Sequence, residues 1–142
     1  MRSQTKARDR GKSAPPPHRE PAILVVDGDE GSLKELQGTL RAHGFSVKGA
    51  PSSLHAIRVL EREPLGLVLA EQRMPEGMDG LGLCVLVKSR WPKVRRVVMA
   101  KRPTGELVMQ AKILADARTL LRPVSPAKLV AVIDEELRAF AR

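Results

Sequence analysis

Glu71 and Arg122 are the two charged residues whose placement could support a fixed piece of chemistry. Glu71 closes the apolar run Leu65–Ala70, which is bounded by Pro64 on one side and by Pro75, Gly77 and Gly80 on the other. Such a run reads as a buried strand that delivers a carboxylate to its C-terminal end. Arg122 follows Arg118–Leu121, a shorter stretch of the same kind. In a parallel α/β sheet the C-terminal strand ends are where sites form. The planar guanidinium fork suits a carboxylate, and a charge-assisted hydrogen bond of this sort is worth about 1.5–3 kcal/mol. A Glu71–Arg122 contact at the strand ends is therefore one expectation; the other is that both are solvated residues at loop starts.

The elements that must position them alternate along the chain. Ala22–Val26 is a first strand, and Ser32–His43 a helix with Leu33, Leu36 and Leu40 at helical spacing, Ser32 and Glu35 matching a capping box and Gly44 as its stop. Phe45–Ala50 is a second strand, and Ser53 caps a helix through Arg62 that turns Leu54, Ile57 and Leu60 inward. After the Leu65–Ala70 strand come a helix from about Leu81 to Arg90, a strand Arg95–Ala100, a helix Thr104–Leu114, the strand Arg118–Leu121 and a closing helix Ser125–Phe140. Five strands, each followed by a helix, predict an α/β fold with a parallel sheet, right-handed crossovers and helices on both faces.

Composition narrows the function classes. A chain of 142 residues that is 42% hydrophobic suits one core-bearing domain, here residues 21–142, plus a short tail. No apolar run is long enough to cross a bilayer, and no apolar segment follows the basic N-terminus as in a secretory signal. The lone Cys84 rules out an internal disulfide and suits a reducing compartment. These features predict a soluble, cytoplasmic protein. Of the formal net charge of +9, a large share sits in residues 1–20, where Arg2, Lys6, Arg8, Arg10, Lys12 and Arg19 face only Asp9 and Glu20. With Pro15, Pro16 and Pro17 in a row and no apolar periodicity, this stretch is expected to be a disordered basic arm. It could tether the protein to nucleic acid, anionic lipid or an acidic partner. No helix-turn-helix or zinc pattern accompanies it, and an aromatic content of 2% disfavours base stacking.

The order of motifs resembles the receiver domain of two-component response regulators. Ile23-Leu24-Val25-Val26-Asp27 looks like the receiver's first strand and its opening acidic residue; Arg73-Met74-Pro75 and Met78-Asp79-Gly80 look like the turn after the phosphorylated strand, with one extra residue near Glu76 or Gly77. Leu121-Arg122-Pro123 stands where the family has lysine and proline. The resemblance runs from about Pro21 onward. It implies a flavodoxin-like sheet of strand order 2-1-3-4-5 and a stand-alone, chemotaxis-type receiver working in a phosphorelay.

The same resemblance implies a phosphorylation site of five parts: a pair of acidic magnesium ligands, an aspartate nucleophile, a hydroxyl on the fourth strand and a lysine. Asp27 keeps the first acidic position, but Gly28 takes the second, Glu71 the nucleophile, Ala100 the hydroxyl and Arg122 the lysine. Thr119 holds the family's aromatic switch position. No metal or cofactor is expected; Asp29 could join Asp27 as a ligand but is more simply read as a helix N-terminal residue. A glutamate also carries its carboxylate one methylene further out, where near-attack geometry tolerates about 1 Å. The expectation is a degenerate pseudo-receiver, not an enzyme, that signals through protein contacts, with Glu71 and Arg122 imitating the phosphorylated state. Alternatives are a nucleic-acid-associated protein using the basic arm and a receiver with residual phosphoacceptor activity. The partner would be a kinase, another signalling component or a second copy of the chain. By analogy Leu83, Cys84 and Val87 turn inward on the third helix, leaving Val85 and Leu86 outward as apolar contacts. Lys101, Arg102, Lys112 and Arg118 would make the face of the fourth helix and fifth strand basic.

Overall fold

The apolar runs of this sequence are short, and several alternate between two sets of partners, as strands buried on both faces require. In the computed structural model, residues 19–141 are described; the basic arm lies outside them apart from Arg19 and Glu20. The elements are β1 (Arg19–Val26), α1 (Glu30–Ala42), β2 (Phe45–Ala50), α2 (Ser53–Arg62), β3 (Leu65–Glu71), α3 (Gly80–Arg90), β4 (Arg95–Ala100), α4 (Gly105–Ala115), β5 (Arg118–Leu121) and α5 (Pro126–Phe140). All strand pairs are parallel, and the sheet order is β2-β1-β3-β4-β5, the flavodoxin-like order expected. β1 starts earlier than Ala22 because Arg19 pairs with Phe45 across a register break before Ile23.

Alternate residues of each strand feed two layers. Ile23, Val25, Leu67, Leu69, Val97 and Met99 pack under α1 and α5, against Leu36, Leu40, Leu129 and Ile133. Their neighbours Leu24, Val26, Val68 and Ala70 pack on α2 and α3, and Val98 on α4 through Ala111 and Ala115. β3 is buried along its whole length, which makes it the spine of the sheet. Its C-terminal residue Glu71 can therefore be reached only from the strand-end edge.

Three helix starts differ from expectation, for one physical reason: the better-placed acceptor took the cap. Asp29, not Ser32, caps α1 by accepting the Ser32 amide at 2.9 Å. Ser52, not Ser53, caps α2, which frees the buried Ser53 hydroxyl to donate to the Met78 carbonyl at 2.7 Å and hold the β3–α3 loop. Asp79 caps α3 so that the helix includes Gly80. Thr104 and Ser125 cap α4 and α5 from just outside each helix. Gly44 ends the α1 turn at a φ of 88°, a conformation glycine adopts without strain.

A buried cation in β4 sets the seat of α4. Arg96 is 3% exposed and donates to the carbonyls of Ala115 (2.6 Å), Val94 (2.6 Å) and Pro92 (3.2 Å), with Asp116 at 3.7 Å. Burial pushes its pKa down, and Arg95 adds to that, yet the carbonyls and Asp116 keep the cation supplied with acceptors. The fork thus ties the C-terminal end of α4 to the strand beneath it. Arg96→Ala should leave buried carbonyls unpaired and cost about 3 kcal/mol. Urea unfolding of the variant checks this; an unchanged midpoint would contradict the clamp.

Candidate functional site

Three strands, the neighbours β1 and β3 and, across β4, the edge strand β5, each deliver one charged residue to the C-terminal edge of the sheet. β1 runs into Asp27, β3 ends in Glu71 and β5 runs into Arg122. The alignment is enforced by backbone bonds, since the Asp27 amide donates to the Ala50 carbonyl at 3.1 Å and the Arg122 amide to the Ala100 carbonyl at 2.9 Å. A cis peptide bond joins Arg122 to Pro123.

The guanidinium of Arg122 lies between the two acids. Its Nη1 donates to Glu71 Oε1 at 2.6 Å and to Asp27 Oδ2 at 3.3 Å. Its Nη2 donates to Ser32 Oγ at 2.7 Å, and that hydroxyl donates to Asp27 Oδ2 at 2.5 Å. Asp27 Oδ1 accepts the Asp29 amide at 2.9 Å. Asp27 and Glu71 are 2% and 8% exposed, so this is a largely desolvated network in which each carboxylate meets a donor. Burial works against the charge on Arg122, but the hydrogen bonds and charges of Glu71 and Asp27 outweigh it and hold the guanidinium above its ordinary pKa. The contact expected between Glu71 and Arg122 is therefore present in the structure, and it is larger than a pair.

Ser32 is the member that sequence reasoning missed. Its assignment to a capping box placed its hydroxyl on a backbone amide, whereas Asp29 performs that task and leaves Ser32 one turn inside α1, facing the strand ends. The visible signal was Asp29 itself, three residues before Ser32 and at least as good a cap. Because Asp29 Oδ1 is engaged at the helix start, the suggestion that it could serve as a ligand beside Asp27 fits the geometry poorly.

Gly28 carries a second consequence of the local fold. A Cβ built there would lie 2.4 Å from Cδ and 2.9 Å from Cγ of Pro75, so the proline ring of the β3–α3 loop fills the space of a side chain at position 28. Ala100 is 5% exposed and offers no hydroxyl. On β5 the half-buried Thr119 has a hydroxyl with no hydrogen-bond partner among the described residues. Lys101, Arg102 and Arg73 line the cleft that leads to Arg122.

The surfaces proposed for partners expose both apolar and charged residues. Val85 is 37% exposed, but Leu86 is half-buried, so α3 presents little apolar surface. The face of α4 and β5 carries exposed apolar residues among the cations expected there, with Met109 60%, Ile113 65% and Leu121 57% exposed. Of the cations named for this face, Lys101 and Arg102 are exposed, Lys112 lies 3.7 Å from Asp116, and Arg118 bonds Glu135, with Glu136 at 3.7 Å. The outward apolar residues have a steric cause. The small residues Ala111 and Ala115 take the side of α4 that meets the sheet, which turns the larger apolar residues outward.

A doubly wound parallel sheet with its charged cluster at the carboxyl edge, at the crossover between β1 and β3, defines the class of protein. Residues 23–134 match the response regulator receiver domain, and the chain belongs to that family. Among curated relatives, the transcriptional regulatory protein GlrR of Escherichia coli (strain K12) is 32% identical over 87% of this chain and 28% of its own length. The hydrogenase transcriptional regulatory protein HoxA of Cupriavidus necator is 29% identical over 85% of this chain and 25% of its own. The chain thus spans only about a quarter of these relatives. Among solved structures, the signal receiver domain of an HD domain-containing protein from Pseudomonas fluorescens Pf-5 superposes with a TM-score of 0.81 at 25% identity, covering 87% of this chain and 98% of that one. A CheY-like receiver from Methanospirillum hungatei JF-1 gives 0.77 at 25% identity, covering 84% and 95%. No helix among the described residues is long and apolar enough to cross a membrane.

The family implies a magnesium ion, and the residues at this edge do not fit one. Magnesium demands near-octahedral oxygen ligands at about 2.0–2.1 Å. Here Gly28, which follows Asp27, has no side chain and lies under Pro75, and the inner oxygens of Asp27 and Glu71 already share a guanidinium.

Two outcomes follow from this packing. Gly28→Asp should lower stability by about 1–3 kcal/mol through the clash with Pro75, with no recovery on adding magnesium, as read by urea unfolding with and without the metal. Cys84 is fully buried, and burial pushes its pKa up to about 12. A thiol reagent should therefore label it only at the rate of unfolding; rapid labelling of the native protein would contradict the packing of α3 on β4.

Proposed function

We propose that this receiver is a non-catalytic pseudo-receiver that acts in signal transduction through protein contacts, its state held by its own residues and not by phosphorylation. The observation that carries this is the bifurcated bond of Arg122 Nη1 to Glu71 and Asp27. A phosphoacceptor must present a free carboxylate oxygen to the phosphoryl donor, in line and beside a metal. Glu71 presents a carboxylate that already has a charged partner and sits one methylene beyond the family's aspartate. With Ala100 in place of the hydroxyl and Thr119 in place of the aromatic, the residues that would report phosphorylation to α4 are absent as well.

A permanently set module needs a contact surface that does not wait on a switch. The exposed Val108, Met109 and Ile113 of α4, a helix pinned by Arg96, with Leu121 at the end of β5, offer such a surface. Exposed apolar residues grouped on one face mark protein contact sites. A signalling protein, a kinase among them, is the partner class that fits the family.

The test is a titration of the whole chain with magnesium and beryllofluoride, a mimic of the acyl phosphate, followed by amide shifts. The expected result is no shift at Asp27, Glu71, Ala100 or along α4. A saturable shift centred on those residues would overturn the proposal.

A further inference from the structure

Two carboxylates buried side by side need a cation, and this chain supplies one covalently. Asp27 Oδ2 and Glu71 Oε1 converge on a single atom, Arg122 Nη1, while Ser32 Oγ takes the neighbouring Nη2. Two carboxylate oxygens and a hydroxyl directed at one positive group are the donor types a hard divalent ion would gather. Burying the two acids without a counter-charge would leave two uncompensated charges out of water.

We propose that the guanidinium of Arg122 is the resident cation of this site, a tethered replacement for a divalent metal, so that Asp27, Glu71 and Ser32 bind a free divalent cation only once Arg122 is removed. The inference rests on the reading of the domain as phosphorylation-independent and names the group that makes it so.

The geometry gives three reasons. The first is exclusion: a metal bound to Asp27 Oδ2 and Glu71 Oε1 would occupy the space of the nitrogen that bonds both. The second is reach. Arginine spans from the end of β5 to oxygens on β1, β3 and α1 with two nitrogens of one rigid plane, which the single ammonium of a lysine cannot do. The third is constancy. A guanidinium does not titrate in the physiological range, so its presence depends on neither pH nor metal supply. Pro75 on Gly28 adds a further barrier by closing the side from which a further carboxylate would approach.

The experiment compares the full chain with Arg122→Ala and Arg122→Lys, using manganese to broaden nearby amide signals and magnesium in thermal melts. The wild type should show no localised broadening at Asp27, Gly28, Asp29 or Glu71 at millimolar metal, and no change in Tm. Arg122→Ala should melt below the wild type in chelator, recover by about 5 °C at metal tenfold above Kd, and lose the Asp27 and Glu71 signals to manganese. Arg122→Lys, which keeps a positive charge, should show the same broadening with a smaller recovery. If Arg122→Ala folds only with metal, the proposal stands; if it does not fold at all, Arg122→Lys decides by the same broadening. A folded variant with no metal response would overturn the resident-cation assignment while leaving the beryllofluoride result, and with it the phosphorylation-independent reading, untouched. Manganese broadening in the wild type would overturn the assignment, and a beryllofluoride response alongside it would overturn both.

Discussion

Two acids lie almost without solvent at the ends of adjacent strands, and the rest of the edge is arranged around the cost of keeping them there. Asp27 and Glu71 are held by strands buried on both faces, so neither can swing out to water without breaking the sheet. A charge in that setting must be paired and hydrogen-bonded. Arg122 meets both, Ser32 closes the loop between them, and the Asp29 amide takes the remaining Asp27 oxygen. β1, β3, β5 and α1 are joined through a single guanidinium.

On the proposed reading, this arrangement separates two properties that the receiver fold ordinarily joins, the scaffold and its chemistry. The sheet, the crossovers and the carboxyl-edge position of the site belong to the family to which the chain belongs. The proposed function keeps the scaffold and replaces a reversible ligand by a covalently attached one. A metal and a phosphoryl group come and go with concentration, whereas a side chain is present at a constant effective concentration. The α4 face carries the same logic further, since the Arg96 fork binds the helix end to backbone carbonyls. That helix presents Met109 and Ile113 to solvent.

Much of the fold was legible because it rests on local signals. The limits of β2, β4 and β5 coincide with the apolar runs that predicted them, and the strand order follows from the family resemblance. Helix starts were read less well where two polar residues competed for one cap, as at Asp29 and Ser32 or at Ser52 and Ser53. The basic character expected for α4 and β5 was only partly legible, for a different reason. Counting charges along a helix says nothing of which are neutralised across space, and Arg118 finds its acids on α5, seventeen residues on. The role of Arg96 was not legible because, of the adjacent Arg95 and Arg96, nothing in the sequence says which is buried.

What the sequence determined by itself was the set of apolar periodicities, the turn residues and the identity of the charged groups that follow each strand. From these come the α/β class and the prospect that Glu71 and Arg122 meet, because parallel strands place their C-terminal ends together. Only the tertiary structure decided that one nitrogen would serve two carboxylates, that Ser32 would join them, and that Pro75 would sit where a side chain of residue 28 would stand. The reason is distance along the chain: Asp27, Glu71 and Arg122 lie at the ends of three different strands, and their separation to a few tenths of an ångström is set by sheet register and loop packing, which no local pattern encodes.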